Sequence, residues 1–265
     1  MRILFVGDVV GRPGRQALKA LLPGLRRDYG ADVVVVNGEN SAGGLGITAD
    51  TGGEILAAGA DLITLGNHVW DRREALRYLE EEPAVIRPAN YPPGTPGSGS
   101  GIVQSPAGRL GVINVAGRVF SDVSYDCPFR SAENELESLR ARGAGPVLVD
   151  IHAEATSEKM ALAYYLDGKV SAVLGTHTHV QTADARILPH KTAYLTDVGM
   201  TGPRDSIIGV RSDVVLRRFL TQMPVSYEVA RHPSVLCLAF LEVDPDGRAL
   251  AISAHQHSYG ENGDS

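Results

Sequence analysis

Residues 33–40 read Val-Val-Val-Val-Asn-Gly-Glu-Asn, four valines followed directly by polar residues and a glycine. Four successive valines leave no polar face, which is typical of a strand that is covered on both sides of a parallel sheet. The polar residues stand where this strand ends, and Gly38 allows the chain to turn sharply there. The stretch therefore predicts a buried strand that carries oxygen-bearing side chains to one edge of a sheet.

Short apolar runs and helical stretches alternate on both sides of this segment. Because strands alternate with helices, we predict an α/β fold with a largely parallel sheet built from crossover units. The predicted strands are 3–6, 33–36, 62–65, 110–115, 147–151, 170–174, 192–196, 235–243 and 249–254. The predicted helices are 15–29 (interrupted at Pro23-Gly24), 54–60, 71–82, 132–142, 157–166 and 212–222.

One long segment interrupts the alternation. Residues 87–109 are rich in proline, glycine and serine, and we predict a long loop that is either a surface excursion or functional. The polar tail from about residue 258 is expected to be frayed. The sequence shows no internal repeat and no convincing linker, so we predict a single domain over residues 1–265.

The composition excludes several classes of protein. The 265 residues are 43% hydrophobic and 21% charged, which is typical of neither disordered nor fibrous chains. The formal net charge of -6 argues against strong binding of long nucleic acid, which needs a basic surface. With Cys127 and Cys237 as the only cysteines, neither a disulfide framework nor a thiolate zinc site organises the fold. We expect a soluble cytoplasmic protein without a membrane partner, and homo-oligomerisation stays open.

Polar residues of metal-binding types follow five of the predicted strands. The carboxyl ends of parallel strands share one edge of an open α/β sheet, so we expect these residues to meet there. One such residue alone would be interpreted as a turn or a helix cap, but five together indicate a metal site. The segments are Gly7-Asp8, Asn37-Gly38-Glu39-Asn40, Gly66-Asn67-His68, His152 and Gly175-Thr176-His177-Thr178-His179.

The mixture of ligand types indicates which metals fit. Carboxylate, amide oxygen and imidazole together favour manganese, iron or zinc over calcium or magnesium, because imidazole is a borderline donor. The candidates outnumber the four ligands that one tetrahedral zinc needs. Two metals that share a carboxylate would use them all.

The order Asp, Gly-Glu-Asn, Gly-Asn-His, a lone His and His-x-His resembles the calcineurin-like metallophosphoesterase superfamily. It is most similar to the bacterial branch of 2′,3′-cyclic-nucleotide phosphodiesterases. The resemblance runs from Gly7-Asp8 through residues 152–159 (His-Ala-Glu-Ala-Thr-Ser-Glu-Lys) to residues 197–203 (Asp-Val-Gly-Met-Thr-Gly-Pro). It implies a four-layer α/β/β/α sandwich of two facing mixed sheets.

The resemblance also implies a dinuclear site with two transition-metal ions per chain, with iron or manganese expected before zinc. The implied ligands are Asp8 and His179 for the first ion, Asn67, His152 and His177 for the second, and Glu39 bridging both. His68, beside Asn67, would be the proton donor rather than a ligand.

Two positions depart from the superfamily pattern. Val10 stands where the common Asp-x-His motif has a histidine, and in the closer branch Asn40 fills that gap as a ligand of the first ion. Val69 replaces the acidic residue that usually follows Asn-His. The group that orients His68 is therefore open, with Asp71 as a candidate.

The activity implied by the resemblance is hydrolysis of small phosphodiesters, above all 2′,3′-cyclic nucleotides. A hydroxide held between the metals would attack phosphorus, and His68 would protonate the leaving alkoxide. Two alternatives stay open: a phosphomonoesterase or nuclease of the same superfamily, and a metal-binding regulatory protein whose catalysis is incidental. The negative net charge favours a small substrate over long RNA.

Other polar residues are expected to have supporting roles. The glycine-rich segment 41–46 lacks the Gly-Lys-Ser/Thr of a P-loop, and we interpret it as a tight connection. Glu154 is expected either to accept a hydrogen bond from His152 or to cap a helix. The histidines outside the motifs, interpreted as surface or packing residues, are His190, His232, His255 and His257.

Overall fold

Two mixed β-sheets lie face to face in the computed structural model, which describes residues 1–231 and 233–260. The strands in chain order are β1 (Arg2–Val6), β2 (Asp8–Val9), β3 (Val33–Asn37), β4 (Leu62–Thr64), β5 (Val85–Ile86), β6 (Ser100–Ser105), β7 (Gly108–Ala116), β8 (Val147–His152), β9 (Ala172–Thr176), β10 (Arg186–Ile187), β11 (Ala193–Leu195), β12 (Met200–Pro203), β13 (Ser234–Val243) and β14 (Ala249–Tyr259). The helices are α1 (Gly11–Asp28), α2 (Ala49–Ala57), α3 (Ala75–Glu81), α4 (Pro128–Ala141), α5 (Thr156–Tyr165) and α6 (Ser212–Thr221).

Both sheets have a parallel centre and antiparallel parts. The first sheet has the order β2-β12-β13-β1-β3-β4-β5, with β14 paired to β13. Within it, β1, β3, β4 and β5 are parallel, while β13 runs antiparallel to β1. The second sheet has the order β10-β11-β9-β8-β7-β6, and its four strands from β11 to β7 are parallel.

Three apolar clusters hold the layers together, as the alternation of side chains along strands requires. Ile3 and Phe5 of β1 face the second sheet, whereas Leu4 and Val6 face α1 and α2. The third cluster packs α4 and α5 against the outer face of the second sheet. All four valines of β3 are fully buried, as the sequence predicts. This is the predicted four-layer α/β/β/α sandwich, and the prediction is confirmed.

Helix α1 differs from the prediction at both points where glycine and proline stand. It begins at Gly11 and continues through Pro23 without a break. Pro23 and Lys19 lie on the exposed side, so the Lys19 carbonyl that loses its partner faces water. A Cβ at Gly14 would lie 2.3 Å from the Thr201 carbonyl oxygen, so only glycine permits this close approach of α1 to β12. Because α1 continues through Pro23, the predicted interruption at Pro23-Gly24 is wrong.

The segment 87–109 is only partly a loop. Its second part, β6, pairs with β7 in an antiparallel hairpin. The remainder is tied down by the Arg87 guanidinium, which donates hydrogen bonds to the carbonyl oxygens of Pro88, Thr95, Pro96 and Gly97. The prediction of one long loop is wrong, because the short apolar pair Ile102-Val103 of β6 stands among serine and glycine residues that are typical of loops.

Smaller differences concern the ends of elements. Helix α2 begins at Ala49, where Thr48 and Thr51 form a reciprocal cap, and α3 begins only at Ala75. Strand β14 continues to Tyr259, two residues into the segment expected to be frayed, and residues 261–265 lie outside the described residues. Within the described ranges, no helix combines the length and the apolar character needed to cross a membrane.

Candidate metal centre

The five polar segments predicted from the sequence meet at one edge of the two sheets. Asp8 and Glu39 follow β1 and β3 of the first sheet, and Asn67 follows β4. His152 is the last residue of β8, and His177 follows β9 of the second sheet. Because the carboxyl ends of both parallel centres point the same way, the sandwich brings ligands from both sheets together.

The imidazole of His152 lies at the centre of this group and is almost fully buried. Its Nε2 lies 2.9 Å from Glu39 Oε1, 3.0 Å from Asn67 Oδ1 and 3.0 Å from His177 Nδ1. Candidate ligand atoms of Glu39, His152 and His177 all lie within 4.8 Å of one another. Several lone-pair atoms thus converge on one point, which is the arrangement that a cation needs.

Hydrogen bonds behind His152 fix which of its nitrogens carries a proton. Thr176 Oγ1 donates to Asp150 Oδ1 over 2.8 Å, so this hydroxyl accepts from His152 Nδ1, 2.9 Å away. A neutral His152 therefore presents a bare Nε2 to Glu39 and Asn67. The carboxylate behind it, Asp150, is itself held by Thr64 and Asn37, and burial raises its pKa to about 6.

At His179, a ring nitrogen and an amide oxygen of Asn40 face each other, and both carry lone pairs. His179 Nδ1 lies 2.9 Å from the Ile208 carbonyl oxygen and must donate to it, which leaves Nε2 bare in the neutral ring. This Nε2 lies 3.2 Å from Asn40 Oδ1. The amide nitrogen of Asn40 donates to the Gly44 carbonyl oxygen, which fixes the amide so that its oxygen faces the ring. Two acceptors face each other here, and a cation between them would satisfy both.

Asp8 is the most buried acid of the group. One oxygen, Oδ2, accepts a hydrogen bond from the His177 backbone N–H over 3.2 Å. The other, Oδ1, is buried and has no hydrogen-bond partner among the described residues. Burial raises the pKa of Asp8, because the charged form is poorly solvated there. A buried carboxylate oxygen without a partner is costly, and a metal ion is one partner that removes the cost.

The other charged states also suit metal binding. Burial alone would raise the pKa of Glu39, but attraction to His152 and the His68 backbone N–H lower it to about 2. Burial and repulsion by His152 lower the pKa of His177 to about 3, so this ring is neutral and can act as a ligand.

The turn between His177 and His179 has an unusual backbone. His177 has a φ of 102° and His179 a φ of 65°, values that non-glycine residues rarely adopt. Asp197 Oδ2 accepts hydrogen bonds from the Thr178 backbone N–H and hydroxyl, 3.1 and 2.7 Å away. Lys159 pairs with the same carboxylate in a fully buried position. Such backbone strain persists only where neighbours fix it.

Gly66 permits the close packing at the centre. A Cβ at this position would lie 2.2 Å from Glu39 Oε2 and 2.3 Å from His152 Cδ2. Any residue with a side chain in place of Gly66 would therefore displace two of the candidate ligands.

His68 lies beside the ligand group and is partly exposed. Its Nδ1 is 2.8 Å from Asp71 Oδ2, so the residue considered from the sequence as the orienting group is its partner. The His68 backbone N–H donates to Glu39 Oε2 over 3.2 Å, which joins the two segments.

Several supporting residues lie differently from the sequence-based expectation. Glu154 Oε2 is 3.2 Å from His177 Nε2, so the expected contact with His152 is wrong and Thr176 occupies that position. Asp150 was missed, although an aspartate inside the apolar strand 147–152 is a recognisable signal of a buried polar network. Lys159 of α5, which is fully buried, was also missed.

The remaining polar residues considered from the sequence make packing contacts or hydrogen bonds outside the ligand group. Arg15 and Arg72 donate to the carbonyl oxygens of Ser41 and Leu45, so segment 41–46 is the expected tight connection. The other histidines pack or pair as follows: His255 and His257 against Tyr29, and His190 with Asp167, while His232 lies outside the described residues.

Comparison with known proteins gives strong matches over most of the chain. A family model described as YmdB-like protein matches residues 4–254. The chain is 48% identical over 244 residues to a 2′,3′-cyclic-nucleotide 2′-phosphodiesterase of Bacillus subtilis, covering 92% of each protein.

Two solved structures agree with the fold. A hypothetical protein from Thermus thermophilus gives a TM-score of 0.91 at 47% identity, covering 98% of this chain and 100% of that one. A structure described as a novel phosphatase from Mycoplasma pneumoniae gives a TM-score of 0.90 at 33% identity, covering 97% and 93%. These matches confirm the resemblance predicted from the order of the motifs.

Proposed function

This chain belongs to the YmdB-like family, and from that premise we propose that it is a metal-dependent phosphodiesterase acting on 2′,3′-cyclic nucleotides. The observation that carries the proposal is the convergence of lone-pair atoms on His152 Nε2, with a second facing pair at His179 and Asn40. The substrate follows the name of the Bacillus subtilis relative, which shares nearly half of its residues with this chain.

The ligand chemistry fits two transition-metal ions, with iron or manganese proposed before zinc. Glu39, Asn67, His152 and His177 would hold one of them. The residues proposed to hold the other are Asp8, Asn40 and His179, with Glu39 shared between both ions. Asp8 Oδ1 supports this assignment, because it is a buried carboxylate oxygen without a hydrogen-bond partner among the described residues and a cation would satisfy it. Two bound divalent ions would polarise the phosphoryl oxygens and lower the pKa of a bound water.

His68 is proposed as the general acid for the leaving group. Its Nδ1 is held by Asp71, so Nε2 is the nitrogen that remains to donate a proton to a ribose oxygen. Its position after Asn67 places this donor beside a proposed ligand without making it part of the ligand group.

A small substrate suits the charge and the space at the site. The chain carries a net charge of -6, which disfavours long RNA. A cavity of about 220 Å³ adjoins Asn67, His152 and His177, which is smaller than most small-molecule sites and so favours a small substrate over a polymer. Phosphomonoesterase activity is the second candidate, because the Mycoplasma pneumoniae structure is described as a phosphatase.

The test compares three substrates with one metal-loaded preparation: 2′,3′-cyclic AMP, bis(p-nitrophenyl) phosphate and the monoester p-nitrophenyl phosphate. We expect kcat/KM to be highest for the cyclic nucleotide and lowest for the monoester, and chelation of the metal to abolish all three activities. The control variant His190→Ala changes an exposed histidine that pairs with Asp167 outside the ligand group, and it should retain all three activities. Turnover of the monoester alone would contradict the proposal and favour the second candidate.

Three further expectations stay predictions: the cytoplasmic location, the single domain over residues 1–265 and a metal-binding regulatory role. The last is tested by asking whether a ligand variant such as Glu39→Ala loses a cellular phenotype that an acid variant such as His68→Ala retains.

A further inference from the structure

The cavity beside the ligand group has two chemically different walls. One wall is formed by Asn67, His152 and His177, which belong to the proposed metal centre. A second wall is formed mainly by residues 117–125 of the loop that connects β7 to α4. The function proposed above uses only the first wall and gives no role to the loop.

The loop is fixed at its start by a buried carboxylate. Glu158 of α5 accepts hydrogen bonds from the backbone N–H of Arg118 at 3.0 Å and of Val119 at 3.1 Å. The Gly117 N–H donates to the His152 carbonyl oxygen over 2.9 Å, so the loop begins directly on a proposed ligand.

The loop is also fixed at its end. Tyr125 is buried, and its hydroxyl lies 3.2 Å from the hydroxyl of Tyr91. The Asp126 N–H donates to the Asn90 carbonyl oxygen over 2.8 Å. Because both ends are anchored, the residues between them are presented to the cavity from a fixed frame.

The middle of the loop, residues 119–123, exposes three apolar side chains together with the carboxylate of Asp122. Phe120 is 85% exposed and lies between the exposed residues Val119 and Val123. Its φ is +62°, a backbone conformation that bulky residues rarely adopt. Strained positions of this kind collect at ligand-binding sites, where the surrounding structure maintains them. An unpacked aromatic ring on a cavity wall is suited to cover a flat apolar group.

We propose that Phe120, flanked by Val119 and Val123, is a stacking subsite for the nucleobase of the substrate. This inference rests on the proposed function. A 2′,3′-cyclic nucleotide has a phosphodiester at one end and a flat base at the other. The cavity lining contains both kinds of group, the lone-pair atoms of the proposed metal ligands and the aromatic ring of the loop. Stacking on an aromatic side chain tolerates every base, because each base has a π-face.

The test separates the base from the phosphodiester. Steady-state kinetics are measured on the metal-loaded full chain with 2′,3′-cyclic AMP and with glycerol 1,2-cyclic phosphate, a cyclic diester without a base. Phe120→Ala should raise KM for cyclic AMP about tenfold, within the range that base–aromatic stacking provides. For glycerol cyclic phosphate the change should stay below about twofold, because that substrate has nothing to stack. Phe120→Trp should keep the low KM for cyclic AMP.

Two controls complete the design. Phe219→Ala removes another exposed phenyl ring, on α6, and should leave both KM values unchanged. A calorimetric titration with adenosine 3′-monophosphate and with inorganic phosphate provides a readout besides turnover. Phe120→Ala should weaken binding of the nucleotide and not of phosphate.

Equal effects of Phe120→Ala on both substrates, or no effect on either, would overturn the subsite. A wild-type protein that hydrolyses neither cyclic diester would instead overturn the proposed function, and the subsite with it.

Discussion

The ammonium group of Lys159 lies 2.8 Å from Asp197 Oδ2, and both side chains are fully buried. The same carboxylate oxygen accepts two hydrogen bonds from Thr178, the residue between His177 and His179. A buried ion pair thus holds the strained turn that carries two of the proposed metal ligands. The pair links α5 to this turn, so the packing of the second sheet determines where the two histidines lie.

Removal of the Lys159 charge should destabilise the protein strongly. Lys159→Met leaves Asp197 buried without its counter-charge, which typically costs about 3–5 kcal/mol. We expect the free energy of unfolding of the metal-free protein, from denaturant titration, to fall by that amount. The double variant Lys159→Met/Asp197→Asn removes both charges but keeps an oxygen that can accept from Thr178. It should recover part of the loss, because the unpaired charge is gone but the amide nitrogen faces the Gly199 N–H that donates to Asp197 Oδ1. A single variant within about 1 kcal/mol of wild type would show that the pair is not essential.

Asn40→Ala should weaken one metal site and spare the other. The amide oxygen of Asn40 faces His179 Nε2 and is proposed to complete the ligands that Asp8 and His179 provide. Amide oxygen is a weaker donor than imidazole, so this site should already be the more labile one. Elemental analysis after dialysis against a weak chelator should find one ion per chain in Asn40→Ala. Full retention of both ions with unchanged activity would make Asn40 a turn residue only.

His68→Ala should discriminate between leaving groups. General acid catalysis contributes about 10²–10⁴ in rate when the leaving group is a basic alkoxide. It contributes little for nitrophenolate, which leaves without a proton. We expect kcat for 2′,3′-cyclic AMP to fall by that factor and kcat for bis(p-nitrophenyl) phosphate to change little, with metal content unchanged. Asp71→Asn should show a smaller loss with the same selectivity. Comparable losses on both substrates would indicate that His68 binds metal or phosphate instead.

Metal binding should release a proton over a defined pH range. Burial alone would lower the pKa of His152, but Glu39 and Asp8 raise it to about 9 in the metal-free protein. A ligand histidine must be neutral, so below pH 9 binding displaces the proton and the apparent affinity rises with pH. Calorimetric titrations with Mn²⁺ at pH 7.5 are run in two buffers of different ionisation enthalpy. The difference between the two binding heats should correspond to the release of about one proton per chain. Equal heats in both buffers would contradict this.

The same shift predicts how the metal-free protein responds to pH. The folded-state pKa of His152 lies above its ordinary value of 6.5, so its contribution to stability is complete below pH 6.5. That contribution should be lost as the pH rises toward 9. Denaturant unfolding of the metal-free protein at pH 6 and pH 9 measures it, and a higher stability at pH 9 would show the opposite sign.

Parts of this site could be predicted from the sequence because they depend on local pattern and on parallel topology. Four apolar residues before Asn37 predict a buried strand, and the shared edge of parallel strands predicts that Glu39 and His152 meet. That two sheets face each other was predicted only from the family resemblance. Periodicity places side chains on one face of a strand and does not say what packs against that face. For the same reason the Asp150–Thr176–His152 chain was missed. Its members are close only because adjacent strands β8 and β9 align them.

The errors in the elements have a similar cause. Gly14 and Pro23 are poor helix residues, yet α1 includes both because its packing against β12 outweighs local preference. The partner of Glu154 depends on how a turn folds back over β8, which one sequence does not specify.

The number of metal ions per chain tests the account most directly. The purified protein is saturated with manganese or iron, freed of excess metal, and analysed for metal and protein in the same sample, alongside Glu39→Ala. We predict two ions per chain in the native protein and nearly none in the variant, because loss of the shared carboxylate leaves both sites short of a ligand and the two cations repelling each other. One ion per chain in the saturated native protein would contradict the dinuclear site on which the proposed function rests.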